Sequence, residues 1–476
     1  MLDQAQTPLL SALQASSRRP HAAFYAPGHK RGQGASPRLR ELLGDAALAA
    51  DLPELPELDN LFAPEGVILE AQALAAAAFG AERTYFLANG STCGLEAAIL
   101  ATCGPGEKIV VPRNAHRSVI AGLVLAGAMP IFVAPAYDPE LGLALGVPVE
   151  TVAAALAHHP DARAVLLVSP TYHGVCSELG AIAALAHSHD IPLLVDEAHG
   201  PHFAFHSDLP TPALALGADL VVQSTHKVLG ALSQAAMLHT QGDRVDPARL
   251  QAALQLTQST SPNALLLASL DAARHQMATS GQAQLGQTIA LAQHLRAELA
   301  KIPGLRVVEP ATVTAHPSVS AADVTRLTVD VAGLGLTGLA ADEILHGELG
   351  VTVELPELRH LTLIVSLGNT AADGQRCLAG FRALAEQCMS RDAEGYFAQD
   401  ELTLAEPAVA PMFTLPAVSP RQAFFAATET VAASAAVGRI SADTIAAYPP
   451  GIPAIVAGEV IEAGAIAQLA VVKHQG

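Results

Sequence analysis

Charge is scarce in this sequence, and positive charge scarcer still. Only 15% of the 476 residues are charged, with 26 Lys and Arg against 45 Asp and Glu, a formal net charge of −19. A chain of that sign is repelled by nucleic acid and by anionic membrane, so neither is an expected partner. Cysteine is sparse as well. The five cysteines (Cys93, Cys103, Cys176, Cys377 and Cys388) are scattered, with no Cys-x-x-Cys pair. That pattern fits reduced thiols, excludes a zinc cluster, and leaves no metal site to expect. The opening residues Met1-Leu2-Asp3-Gln4 lack the basic-then-apolar signature of a signal peptide. No run of about twenty apolar residues is free of charge and turn signals, so no membrane span is expected and the protein reads as cytoplasmic. No internal repeat stands out. What is abundant is apolar: 51% of the residues are hydrophobic, which argues against disorder. The length leaves room for two or three domains and a large core.

Residues 1–60 read as an N-terminal arm. One helix is expected from Thr7 to Ala15, followed by a polar turn, Ala26-Pro27-Gly28-His29-Lys30-Arg31-Gly32. Residues 61–300 alternate strand-like and helix-like segments. A helix is expected over Gly66–Phe79, and strands at Thr84–Ala88, Lys108–Val111, Met129–Val133, Ala164–Val168, Ile191–Val195 and Asp219–Val222. These apolar runs are continuous rather than alternating, which fits a mostly parallel sheet covered on both faces, an α/β fold. Ligands in such folds sit beyond the carboxyl ends of the strands. Residues 301–400 change character and read as a small α+β domain, with strands at Leu305–Val308, Val324–Val331 and Leu361–Leu367. Residues 401–476 form a third unit with proline-rich punctuation, Ala447-Tyr448-Pro449-Pro450-Gly451-Ile452-Pro453.

The stretch that organises the chain is Gln223-Ser224-Thr225-His226-Lys227-Val228-Leu229, at the end of an apolar run. It brings two hydroxyls, an imidazole and one amine together. A second run, Ile191 to Val195, ends in Asp196-Glu197-Ala198-His199. Asp196 precedes Lys227 by 227 − 196 = 31 residues, room for a crossover and a return strand. A lysine alone in that place is most simply a solvated end-of-strand charge, and an aspartate alone a cap or turn residue. As a pair they point to a cofactor site. Lys227 would carry pyridoxal phosphate and Asp196 would face its pyridine nitrogen. Asn89-Gly90-Ser91-Thr92 turns into a helix and offers free N–H groups, two hydroxyls and a positive dipole end, a cup for phosphate or an ordinary N-cap.

The chain resembles the ornithine/lysine/arginine decarboxylases of pyridoxal-phosphate fold type I, over nearly its full length. The resemblance is carried by Ala26-Pro27-Gly28-His29-Lys30, Leu58-Asp59-Asn60-Leu61, Asn89-Gly90-Ser91-Thr92, His116-Arg117-Ser118 and Ser169-Pro170-Thr171-Tyr172. Asp196-Glu197-Ala198-His199-Gly200, Ser224-Thr225-His226-Lys227, Ser259-Thr260-Ser261-Pro262 and Tyr448 to Pro453 complete it. The chain looks like the shorter, biosynthetic kind, without a long N-terminal wing domain. Two departures touch the finer geometry: His173 stands where an aromatic is expected, and Pro201 where a small residue is expected.

The resemblance implies an enzyme that decarboxylates a basic amino acid, arginine to agmatine for polyamine synthesis. Lysine or ornithine is the alternative substrate. It implies Lys227 and Asp196 in the roles above, His116 stacked on the cofactor ring and His199 beside it. Ser91, Thr92 and Ser224 would bind phosphate. Ser259 and Thr260 would complete the cup from a neighbouring subunit of a homodimer or larger homo-oligomer. His226 would lie close enough to the reacting carbon to move a proton. Glu459 is the expected carboxylate for the substrate's distal cation, with Tyr448 beside it. Two other readings stay open: a transaminase or aldolase on the same fold, with Arg359 available to grip an α-carboxylate, and a non-catalytic regulator that has lost chemistry.

Overall fold

The computed structural model describes residues 2–392, 412–446 and 453–475. Seven strands build the large sheet: β1 (Arg83–Leu87), β2 (Lys108–Pro112), β3 (Met129–Val133), β4 (Ala162–Val168), β5 (Leu193–Asp196), β6 (Leu220–Gln223) and β7 (Ala236–Thr240). Their spatial order is β1-β7-β6-β5-β4-β2-β3, and Phe413–Thr414 adds a short antiparallel strand beyond β3. The neighbouring pairs from β6 through β5, β4 and β2 to β3 are all parallel. Among these seven strands only β7 runs against its neighbours, β6 and β1. Because it alone is reversed, β1 points the same way as β2 to β6. Six carboxyl ends therefore fall on one edge. The sheet is mostly parallel, as the apolar runs predict.

The lack of alternation in those runs has a direct cause. Successive side chains of a strand point to opposite faces, and both faces are buried. Ala164 and Leu166 enter one core with Ile109, Val111, Leu194 and Val222. Val165 and Leu167 enter another with Val110, Ile131, Val195 and Val221. Helix Gly90–Thr102 lies so close to the first face that a Cβ on Gly94 would stand 2.6 Å from Leu87 Cδ1 and 2.9 Å from a Val222 methyl. A side chain there would push the helix, and the start of that helix, off the sheet.

The arm holds two helices, Pro8–Ser17 and Pro37–Ala50, the second broken at Gly44 (φ 75°). The first is the expected one. The second carries a start signal the sequence reading passes over: Ser36 accepts a hydrogen bond from the Leu39 N–H (3.2 Å), and Pro37 follows at the first helical position. Leu9 and Leu13 of the arm are buried with Ile68, Phe79 and Leu267. The Leu9 N–H also donates to buried Asp271 (3.1 Å).

Asp271 belongs to one helix of 36 residues, Ala264–Leu299. At the standard rise it spans about 54 Å. Its first part, through Leu285 and Ile289, packs in the core shared with the arm. Its last part, Ala292, Leu295 and Leu299, packs under a second, four-stranded sheet. That sheet has the order β8-β9-β11-β10, all antiparallel, with β8 (Arg306–Val307), β9 (Arg326–Asp330), β10 (Leu355–Pro356) and β11 (His360–Ile364). Helix Ala371–Asp392 covers it through Phe381 and Leu384. In the last segment, Pro453–Ile455 pairs with Ile445–Ala446, and Val456 is buried in the large core. Among the described residues, no helix is long and apolar enough to cross a membrane.

Candidate active site

Side chains of interest gather at the edge where the six carboxyl ends meet. Asp196 is the last residue of β5 and is almost fully buried. Its Oδ1 accepts from the Ala198 N–H (3.1 Å). Burial raises its pKa, and the nearby Lys227 opposes that shift. The next residue, Glu197, serves the fold instead. It accepts from Gln223 Nε2 (2.7 Å) and from the Ala213 N–H (2.8 Å), and burial pushes its pKa up to about 7.

One strand over, β6 runs into a single helical turn, Thr225–Val228, which aims Lys227 back over the edge. Burial lowers the pKa of this amine; Asp196 and Glu354 oppose the shift, while Arg326 adds to it. The sum is a poorly hydrated amine that gives up its proton more readily than a surface lysine. Lys227 Nζ lies 2.9 Å from Nε2 of buried His199. The Tyr172 ring stands 4.3 Å from the His199 ring and 5.3 Å from the lysine nitrogen, packing on both. His226 Nδ1 donates to the Ala235 carbonyl (2.9 Å), which leaves Nε2 with the free lone pair.

At the end of β1, Ser91 opens helix Gly90–Thr102, and its Oγ accepts from Ser224 Oγ at 2.7 Å. Two hydroxyls thus stand together at a helix N-terminus, where free N–H groups and the dipole favour an anion. Thr92, beside them, is exposed. Ser259 and Thr260 are exposed too, and the Ser259 N–H donates to Asn89 Oδ1 (3.1 Å), just before that helix. Beyond β2, His116 caps helix Arg117–Ala126. Its Nδ1 accepts from the Ser118 N–H (3.2 Å) and pairs with Ser118 Oγ (2.7 Å). Burial first, then the positive charge of Lys227, brings its pKa down to about 4. The ring is neutral at pH 7 and lies near enough to the lysine to feel its charge.

Glu459 lies elsewhere in this network. Its carboxylate is bound by the Arg113 guanidinium, with Nη2 at 2.8 Å from Oε2, and by the Val456 N–H at 2.8 Å. Tyr448 lies outside the described residues. Arg359 is engaged as well: its Nε and Nη2 both stand 2.7 Å from Asp330 Oδ2. It is therefore not a free grip for an α-carboxylate. Two residues the sequence reading does not single out also bear on the lysine. Arg326, wholly buried at the start of β9, and Glu354, exposed just before β10, both enter the electrostatic balance of Lys227. Neither sits in a motif, and both reach the site from the small sheet. An open cleft of about 430 Å³ is lined on that unit by Glu354, Asp373 and Arg376, but not by Lys227 or Asp196.

The buried rings have a consequence for stability. Burial holds His116 and His360 down to about 4 and His239 to about 3. The unfolded chain takes up these protons near pH 6.5 while the folded chain refuses them, so stability is lost as pH falls from 6.5 toward 4. Glu197 works the other way between 4.5 and 7, because only the folded state keeps its proton there. Asp196, raised by burial in the same way, joins Glu197, and His199 joins the three rings, so the rings still outnumber the acids. The thermal midpoint is expected to drop between pH 7 and pH 5; a flat or inverted profile in scanning calorimetry would contradict neutral buried rings.

Comparison with known proteins adds lineage to this geometry. A family model described as Orn/Lys/Arg decarboxylase, major domain, matches residues 7–388, and one described as the C-terminal domain of the same family matches residues 403–474. The chain is 40% identical over 463 residues to the arginine decarboxylase of Bacillus cereus, covering 96% of this chain and 97% of that protein. It is 40% identical over 460 residues to the arginine decarboxylase of Bacillus subtilis, covering 97% and 92%. Among solved structures, lysine decarboxylase A from Pseudomonas aeruginosa superimposes with a TM-score of 0.83 at 24% identity, covering 98% of this chain and 76% of that one. With a matched major domain, a matched C-terminal domain and this fold, the chain belongs to the Orn/Lys/Arg decarboxylase family.

Proposed function

We propose that the protein converts arginine to agmatine and carbon dioxide, using pyridoxal phosphate held on Lys227, and so feeds polyamine synthesis. The observation that carries this reading is the half-buried amine of Lys227 beside the buried carboxylate of Asp196, on neighbouring strand ends. Full-length similarity to two arginine decarboxylases favours arginine over lysine or ornithine. The donor set fits the cofactor. Ser91 and Ser224 at a helix N-terminus suit a phosphate, helped by Thr92. Asp196 suits a ring nitrogen, because a close anion favours a protonated, positively charged nitrogen. When bound, the group supplies an electron sink for the pair left behind as carbon dioxide departs.

The chain's own residues do the rest. Lys227, whose hold on its proton is weakened by burial, gives that proton up more readily than a surface lysine and so becomes a better nucleophile toward a carbonyl carbon. His116 and His199, both neutral, would bound the place of the cofactor ring. His226, once its Nε2 lone pair has taken up the proton shed by the substrate's ammonium group, or Lys227 itself, returns a proton to the α carbon after carbon dioxide leaves. Glu354 takes the guanidinium of the substrate, two oxygens to two N–H groups. Its support is its influence on Lys227, Tyr172, His226 and Arg326 alike. Glu459 and Tyr448 are the further substrate contacts we propose, with Glu459 the less available because Arg113 already binds it. A charge-assisted hydrogen bond contributes about 1.5–3 kcal/mol, so Glu354→Gln is expected to raise KM for arginine about ten- to a hundredfold with a smaller effect on kcat. An unchanged KM in that variant removes Glu354 from the role, and the same assay on Glu459→Gln ranks the two carboxylates.

We also propose a cytoplasmic homodimer or larger homo-oligomer, with Ser259 and Thr260 serving the neighbouring subunit's phosphate cup. Exposed apolar side chains on the arm, Phe24 and Leu42, support an interface there. A monomeric mass in light scattering overturns that part. The proposed domains are an arm (1–60), a large cofactor-binding domain (61–300), a small α+β domain (301–400) and a C-terminal decarboxylase domain (401–476). The function itself is tested by incubating the purified protein and cofactor with equal arginine, lysine and ornithine and separating the amines. Agmatine supports the reading; cadaverine or putrescine changes the substrate; no amine overturns it.

A further inference from the structure

A guanidinium from the small sheet stands directly behind the lysine's imidazole partner. Arg326 Nη2 donates to the His199 carbonyl at 3.0 Å and lies 3.5 Å from His199 Nδ1. A guanidinium has donors only. Its approach to Nδ1 therefore calls for a lone pair on that nitrogen, and the ring proton belongs on Nε2. Nε2 is the atom 2.9 Å from Lys227 Nζ. For that contact to be a hydrogen bond, the lysine must offer a lone pair in turn.

Arg326 is itself fixed from behind. Its Nη1 is 4.0 Å from Asp323 Oδ2, which pairs with His202 Nε2 at 3.0 Å, while Thr325 Oγ1 donates to Asp323 Oδ1 at 2.7 Å. Nη1 and Nε of Arg326 have no hydrogen-bond partner among the described residues. The positive charge is thus incompletely compensated, in a place where water does not screen it.

We propose that Arg326 is a positioning residue: by donating to the carbonyl and Nδ1 of His199 it sets that ring with its Nε2–H toward Lys227, so that a residue of the small sheet dictates the hydrogen bond the lysine receives. The field on Lys227 comes from every side, with the Tyr172 ring packed 5.3 Å from its nitrogen. Asp196 faces it from β5, His199 from the loop after β5, and His116 from the cap of helix Arg117–Ala126. Arg326 comes from β9, Glu354 from the segment before β10, and His226 from the adjacent position. Asp196 and Glu354 favour the ammonium; burial and Arg326 favour the free amine. Removing Arg326 tips this balance toward the ammonium. The inference rests on Lys227 as the cofactor-holding amine.

The test measures the amine itself. In the full-length chain without cofactor, labelling of Lys227 by acetic anhydride is followed against pH by mass spectrometry. Arg326→Gln is expected to lower labelling at neutral pH about tenfold, the effect of one pKa unit. In the loaded protein, the pH midpoint of the visible absorbance is expected to rise with it. Arg326→Lys, which restores a charged donor, should return both toward wild type. Labelling unchanged in Arg326→Gln overturns the proposal. Should that variant not fold, neutron diffraction of the wild-type protein decides: a deuteron on His199 Nε2 is expected, and one on Nδ1 overturns it. Activity surviving in Lys227→Ala, with the labelling shift of Arg326→Gln intact, would instead sink the role of Lys227 and leave the Arg326–His199–Lys227 link standing.

Discussion

Lys227→Ala is expected to leave a folded protein that releases no carbon dioxide from arginine and shows no visible absorbance of a lysine-bound cofactor. The loss should be on the order of ten-thousand-fold or more, the scale seen when a nucleophile that works as part of a unit is removed. The fold should survive, because the side chain is held by burial, one hydrogen-bond contact to His199 and the Tyr172 ring rather than by an extended network. Taking a desolvated amine out of the interior removes an unfavourable burial, so the thermal midpoint should hold or rise slightly. Two measurements on one preparation, carbon dioxide release and the absorbance spectrum, carry the test. Normal turnover in the variant sinks the assignment.

Asp196→Asn should cost on the order of a hundredfold in kcat/KM, the usual loss when one preorganised electrostatic partner is taken away. The amide has the shape of the carboxylate and can still accept from the Ala198 N–H, now at 3.1 Å from Oδ1. Sterically almost nothing changes. What disappears is the negative charge that would keep a ring nitrogen protonated, and with it the power to draw electrons. The variant should also lose cofactor faster on gel filtration. Wild-type rates with wild-type retention would remove the proposed role and leave Asp196 as a buried turn residue.

Lys227 and Asp196 are both legible in the amino-acid sequence, and the reason is local. Each follows a short apolar run, and the carboxyl end of such a run is where a parallel sheet exposes its ligands. The strands are legible for the same reason: residues 164–168 are apolar throughout because neighbouring side chains enter different cores. The small-sheet contribution is not. Arg326 lies 99 residues beyond Lys227 and Glu354 lies 127 beyond it, in segments with no motif. Only the packing of a second sheet brings them near. Glu459 shows the converse limit. Its charge and its place in the C-terminal segment suggest a substrate contact, but Arg113, 346 residues earlier, holds the carboxylate. No pattern along the chain announces a pair that distant. The helix Pro37–Ala50 is a different omission, since its Ser36-Pro37 start stands in plain view along the chain.

The helix Ala264–Leu299 gives this arrangement its division of labour. It is seated at one end in the core beneath the large sheet and at the other beneath the small one. Lys227, Asp196 and Ser91, the groups proposed to hold the cofactor, stand at the edge of the large sheet; Arg326 and Glu354, those proposed to tune and choose, come from the small-sheet unit. An unbroken rod between them acts as a ruler. It sets how far the choosing wall stands from the holding wall, and a helix has a fixed length per residue. On those proposed roles, substitutions on the small sheet would alter substrate choice while the holding groups stay in place. A single insertion in the rod, by contrast, rotates one wall about 100° against the other.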